Sequence, residues 1–80
     1  MKLVVKTTVE KFVKKLAEPT KSRVKNAIVK LSKEPPEGEI KPMSGRNDYR
    51  LRVGKYRLLF DIIDDTIFVH DIGLRGDIYK

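Results

Sequence analysis

The sequence predicts an α+β domain in which a helical hairpin lies across one face of a mainly antiparallel sheet, in the order β-α-α-β-β-β. Three observations carry that expectation. Residues 49–60 form two alternating apolar and polar runs joined at Gly54-Lys55, residues 7–31 hold two apolar stripes at helical spacing with a proline between them, and short β-branched runs stand at 3–6 and 66–72. The 80 residues make one domain, 1–80, with room for a single modest core.

Leu3 to Lys6 is short, β-branched and flanked by lysines, and reads as a strand. Thr7 opens a helix, with Thr7 and Glu10 at the spacing of a capping box, and Val9, Phe12, Val13, Leu16 and Ala17 follow as one apolar stripe. Pro19 forbids simple continuation and suits the first turn of a second helix, whose buried stripe is Val24, Ala27, Ile28 and Leu31. Pro35-Pro36 ends it. The short connection between the helices predicts an antiparallel αα-hairpin.

Residues 35–47 contain three prolines and two glycines with little apolar periodicity, and read as a long loop in which Met43 fills space under the sheet edge. The next stretch organises the chain. In the first strand of a hairpin Tyr49, Leu51 and Val53 face one way and Arg50 and Arg52 the other; in the second, Tyr56, Leu58 and Phe60 oppose Arg57, Leu59 and Asp61. Asp64-Asp65 marks a further turn and Thr66 to Ile72 a last strand, whose two faces are both apolar, so the face that meets the helices is left open. With the helix stripes on one sheet face, the arginine face is exposed, and such a surface expects an anion.

Without cysteine there is no disulfide and no thiolate metal site, as suits a reducing cytosol. The start of the chain is far too short in apolar residues for a signal or membrane span, and the expectation is a soluble cytoplasmic protein with no membrane partner. The formal charge of +7 is uneven: residues 1–34 carry ten Lys/Arg against three Glu, residues 35–80 eight against eight, yet five of the six arginines lie in the neutral part. Lysine is a hydrated point charge, whereas arginine is a planar fork that holds phosphate through two bonds. General attraction is expected from one part and specific anion chemistry from the other.

One histidine, no paired-histidine or acidic-loop motif and no glycine-rich phosphate loop set metal sites, cofactors and covalent nucleophiles aside, and His70 reads as a partly buried strand histidine. Arg50, Arg52, Arg57, Arg75 and Tyr79 remain. Cleaving RNA without a metal needs a base for the 2′-hydroxyl proton, cations around the crowded phosphate and help for the leaving 5′-oxygen. Arginines supply the electrostatic part, and clustered positive charge lowers a phenol from its ordinary pKa of about 10 toward the range of a base. Taken singly, each arginine reads equally as an ion-pair partner of a neighbouring aspartate, and Tyr79 as a ring packed on the sheet edge. Their coincidence carries the reading.

The pattern from Tyr49 to Arg57, followed by Ile72-Gly-Leu-Arg75-Gly-Asp-Ile-Tyr79, resembles the RelE/ParE superfamily of toxin-antitoxin toxins, and more closely its RelE branch. The resemblance implies the same small α+β fold and a ribosome-dependent, metal-independent endoribonuclease that cuts messenger RNA by 2′-hydroxyl attack. It implies a cognate antitoxin as partner, with the ribosome and mRNA, and a toxin-antitoxin hetero-oligomer on operator DNA. By position, Arg50 and Arg52 are similar to the basic pair that grips RNA, where lysines stand in familiar RelE toxins. Arg57 is similar to the arginine that stabilises the scissile phosphate, Arg75 to the arginine that assists the leaving group, and Tyr79 to the tyrosine proposed as general base. Arg46 before the hairpin and Lys55 in its turn extend this RNA-binding set. Two other readings stay open: a ParE-like inhibitor of DNA gyrase, which shares the fold, and a non-enzymatic module that binds RNA or a partner protein.

Overall fold

Tyr49 and Phe60 are direct cross-strand partners with stacked rings, centroids 5.6 Å apart, and they anchor the hairpin that the rest of the chain covers. In the computed structural model, which describes residues 1–43 and 48–74, the elements are β1 (Lys2–Val5), α1 (Thr7–Lys14), α2 (Thr20–Lys30), β2 (Glu39–Pro42), β3 (Asp48–Val53), β4 (Tyr56–Ile63) and β5 (Thr66–Leu74). The strands form one sheet in the order β1-β5-β4-β3-β2, with β1 parallel to β5 and the other pairs antiparallel.

The expected α+β layout is observed, with one strand more. Part of the stretch read as a loop, residues 39–42, is β2, so the meander has four strands. It is an edge strand, where Pro42 is tolerated because one side of the strand needs no donor. Its Ile40 turns inward against the core, and Met43 N–H donates to Asp48 O at 2.9 Å. Gly38 introduces β2 at φ +138°, with Leu51 Cδ1 2.7 Å from where a Cβ would stand.

The turns from β3 to β4 and from β4 to β5 have the chemistry that tight hairpins demand. Gly54 has φ 57° between the paired Val53 and Tyr56, and Asp64 and Asp65 have φ 47° and 62° between Ile63 and Thr66. Positive φ matches a two-residue loop to the strand twist, and Asp is one of the few residues with a side chain that accept it.

The helices cover one sheet face. Val9 and Val13 from α1, Val24 and Ile28 from α2, and Leu31 just beyond it meet Leu51, Leu58, Phe60, Ile67, Val69 and Ile72, and among the described residues nothing polar is buried with them. Each such side chain contributes about 1.5–3 kcal/mol on burial. Phe12 packs its ring edge on Tyr56, centroids 5.9 Å apart, tying α1 to the hairpin. Two local expectations are corrected. The capping box is absent: Lys6, not Thr7, is the N-cap, with no side-chain cap bond, and Lys6 O accepts from the N–H groups of Val9 and Glu10. The α1 stripe stops short, because the helix ends at Lys14 and Ala17 lies exposed.

The question left open for the last strand is answered by a β-bulge. Phe60 pairs with Val69 but Leu59 with Asp71, leaving His70 as an extra residue in β5. The added residue resets the alternation. Ile72 therefore joins Ile67 and Val69 on the buried face, while Phe68 is turned out.

Candidate nucleic-acid interface

The uncovered sheet face carries its side chains in rows set by strand register. Arg52 stands directly opposite Arg57 on β4 and Glu39 on β2; in the next row Arg50 lies between Leu59 and Lys41. Lys41, Arg50, Arg52, Arg57 and Glu39 line one shallow hollow of about 30 Å³. Arg52 Nη1 reaches Glu39 Oε1 at 3.8 Å, a pair exposed on both sides and therefore weak. Among the described residues that line it, four cations stand against one carboxylate. The hollow is too small to enclose a nucleotide, and its size and charge suit contact with an anion no larger than a phosphate.

Farther along the same face the sign reverses. Asp48 precedes Arg50 in the outward alternation and pairs across strands with Asp61, whose Oδ1 lies 3.3 Å from His70 Nε2. The carboxyl group of Asp48, hydrogen-bonded to Asp61, and then burial hold the Asp61 carboxyl above its ordinary range, against the opposing pull of His70. His70 is half-buried on its strand, as expected from the sequence, but its alignment with two aspartates was not visible there.

A family model described as the ParE toxin of type II toxin-antitoxin systems, parDE, matches residues 3–79. The chain belongs to this family, within the RelE/ParE superfamily. The fold agrees with that of solved RelE toxins. RelE in a RelB-RelE antitoxin-toxin complex from Methanococcus jannaschii is 28% identical, with a TM-score of 0.76 over 95% of this chain and 94% of that one. The archaeal RelE-RelB complex from Pyrococcus horikoshii OT3 gives 21% identity and a TM-score of 0.80 over 95% and 96%. The isolated E. coli RelE toxin gives 23% and 0.73 over 98% and 89%. No curated protein sequence matches significantly. The protein is thus a type II toxin of the RelE/ParE superfamily.

Of the residues singled out in the sequence, the toxin brings Arg50, Arg52 and Arg57 together in the hollow. Lys55 lies elsewhere: at the hairpin turn its Nζ stands 5.8 Å from the Tyr56 ring centroid, in a second hollow with Thr20 and Arg23 of α2. Arg46, Arg75 and Tyr79 fall outside the described residues. Gly73 and Leu74, the last residues described, pair with Arg57 and Tyr56, so β5 reaches the row of Arg57 just before Arg75 in the chain. Lys41 and Glu39 escape a reading of the sequence because the prolines at 35, 36 and 42 give their strand the composition of a loop. The signal that would have found them is the alternation Glu39-Ile40-Lys41, with its single inward apolar residue. No helix among the described residues is long and apolar enough to cross a membrane.

Proposed function

We propose that this toxin is a RelE-like endoribonuclease that cuts messenger RNA on the ribosome, with the open sheet face holding the RNA backbone. The observation that carries the reading is the register of Arg52 against Arg57, with Arg50 and Lys41 in the adjoining row around one hollow. Cations gathered on a solvent-facing sheet suit a phosphate, and contacts to phosphate position a chain without reading its sequence. Register on the message then has to come from another body, which suits cleavage on a ribosome.

In this reading the Tyr79 phenolate takes the proton of a 2′-hydroxyl and the 2′-oxygen attacks the neighbouring phosphorus. Arg57 stabilises the charge added to the phosphate oxygens, and Arg75 assists the 5′-oxygen, which leaves and takes up a proton. The products are a 2′,3′-cyclic phosphate and a 5′-hydroxyl. Arg50, Arg52 and Lys41 hold the flanking backbone, and Arg46 and Lys55 add further contacts to the RNA.

The partner that silences such a face is a cognate antitoxin; the similar M. jannaschii and P. horikoshii RelE chains are in complexes with RelB. An apolar groove of about 340 Å³ between α1, α2 and β1, lined by Leu3, Val5, Val13, Ile28 and the exposed Val29 with Lys14 and Lys25 beside it, suits an antitoxin helix with apolar and acidic residues.

A second reading is gyrase inhibition, favoured by the ParE name of the matching family model. Cell-free translation followed by primer-extension mapping of messenger ends decides between them, comparing wild type with Arg57→Ala and Tyr79→Phe. Cuts within translated codons, lost in Arg57→Ala and much reduced in Tyr79→Phe, support the nuclease. No cuts from a folded wild-type toxin, with loss of supercoiling in a gyrase assay, support the second reading; neither effect leaves a binding module.

A further inference from the structure

Asp48, Asp61 and His70 come from three adjacent strands, β3, β4 and β5, yet one ligand atom from each lies within 4.8 Å of the others. The arrangement is more than an acidic patch. Two carboxylates directly opposed across antiparallel strands repel each other, and a sheet normally avoids that pairing. The residue facing them is the extra residue of a β-bulge, a feature that commonly re-aims a side chain. Asp61 Oδ1 is shielded from solvent and receives no aligned hydrogen bond among the described residues. Its 3.3 Å separation from His70 Nε2 matches the edge of a tetrahedral site, since two bonds of about 2.0–2.2 Å at the tetrahedral angle set ligand atoms about 3.3–3.6 Å apart.

We infer that Asp48, Asp61 and the Nε2 of His70 form a binding site for a divalent cation of the zinc class, with water in the fourth position. An O,O,N donor set with an imidazole suits zinc or cobalt, whereas calcium and magnesium take all-oxygen shells with more ligands. Bound there, the ion cross-links the three middle strands of the sheet and cancels the negative charge of the two carboxylates beside Arg50, on the face that carries the arginines. The site is independent of the nuclease reading, which asks nothing of these three residues.

The test uses the untagged full chain stripped with EDTA and titrated with Co²⁺, then Zn²⁺. The expected result is one equivalent of Co²⁺ with the visible bands of a tetrahedral complex, displaced by Zn²⁺, and a thermal midpoint raised by several degrees when Zn²⁺ is well above its Kd. His70→Gln and Asp48→Asn each abolish both the bands and the shift. Asp48→Asn removes a like charge and keeps the fold, so it decides the matter even if His70→Gln unfolds. A wild-type chain with neither bands nor shift overturns the assignment. So does a folded Asp48→Asn variant that still binds Co²⁺ in this way.

Discussion

Arg52 and Arg57 face each other directly across β3 and β4, like charges in register on the open side of the sheet. Such a pairing costs about 0.2–1 kcal/mol relative to neutral partners. The exposed contact from Arg52 to Glu39, at 3.8 Å, offsets little of it. An anion seated against the two guanidinium groups would relieve that like-charge pairing. Arg52→Gln is expected to leave the thermal midpoint unchanged or slightly raised while weakening binding to single-stranded RNA. The dependence of log affinity on log salt should flatten by about 0.7, the contribution of one phosphate contact. Thermal unfolding and fluorescence anisotropy across a salt series check both halves; a large fall in midpoint would make Arg52 structural.

Glu39 is the one carboxylate among the described residues that line the arginine hollow. It competes with phosphate for Arg52, and because the pair is exposed its worth is about 0.2–1 kcal/mol. Glu39→Gln keeps the shape and removes the charge. RNA affinity at low salt should rise by about two- to fivefold, with the gain shrinking as salt is added. Anisotropy with a short RNA reads this directly, and weaker binding by the variant would place the RNA away from this hollow.

The layers of the fold were legible because each apolar stripe has one period and one destination. Val24, Ile28 and Leu31 sit where helical spacing puts them, and Leu51, Leu58 and Phe60 where alternation puts them. Legibility ended where a single residue breaks a period. His70 shifts the register of β5, so Ile72 faces the core although strict alternation from Val69 turns it away. Edge strand β2 was hidden because Pro42 and the neighbouring prolines outweigh four residues of alternation, and edge position is a property of the sheet rather than of the segment. The arginine set could be read because Arg50, Arg52 and Arg57 belong to one hairpin. The meeting of Asp48, Asp61 and His70 could not, since it needs the register of three strands and the bulge.

Gly38 tests how far β2 depends on its entry. Its φ of +138° is strained for any residue with a Cβ, and that Cβ would stand 2.7 Å from the Cδ1 of Leu51, which is fully buried. Gly38→Ala therefore meets backbone strain and overpacking together, with a cost of about 2–4 kcal/mol. Urea unfolding should show a lower midpoint at an unchanged slope. Protection of the β2 amides from hydrogen exchange should fall more than that of β4, because β2 is an edge strand. Equal stability in the two proteins would mean that this entry to β2 rearranges without cost.

The start of α2 gives a pH dependence with a definite sign. Glu18 accepts hydrogen bonds from the hydroxyl of Ser22, at 2.8 Å to Oε1, and from its backbone N–H at 2.9 Å. The Ser22 hydroxyl first, and then the N–H, hold the Glu18 carboxyl below its ordinary range. A carboxyl group with a lower pKa in the folded state releases its proton more readily there, so its contribution is complete above the unfolded-state pKa and is lost as pH falls through the folded value. Ser22→Ala removes the larger cause and leaves the backbone bond. The Glu18 titration followed by NMR should move up toward the ordinary carboxylate range. Wild type and variant should differ in stability above that range and draw together as the solution is acidified. A difference that instead persists at low pH would come from the helix propensity of alanine, not from the carboxylate.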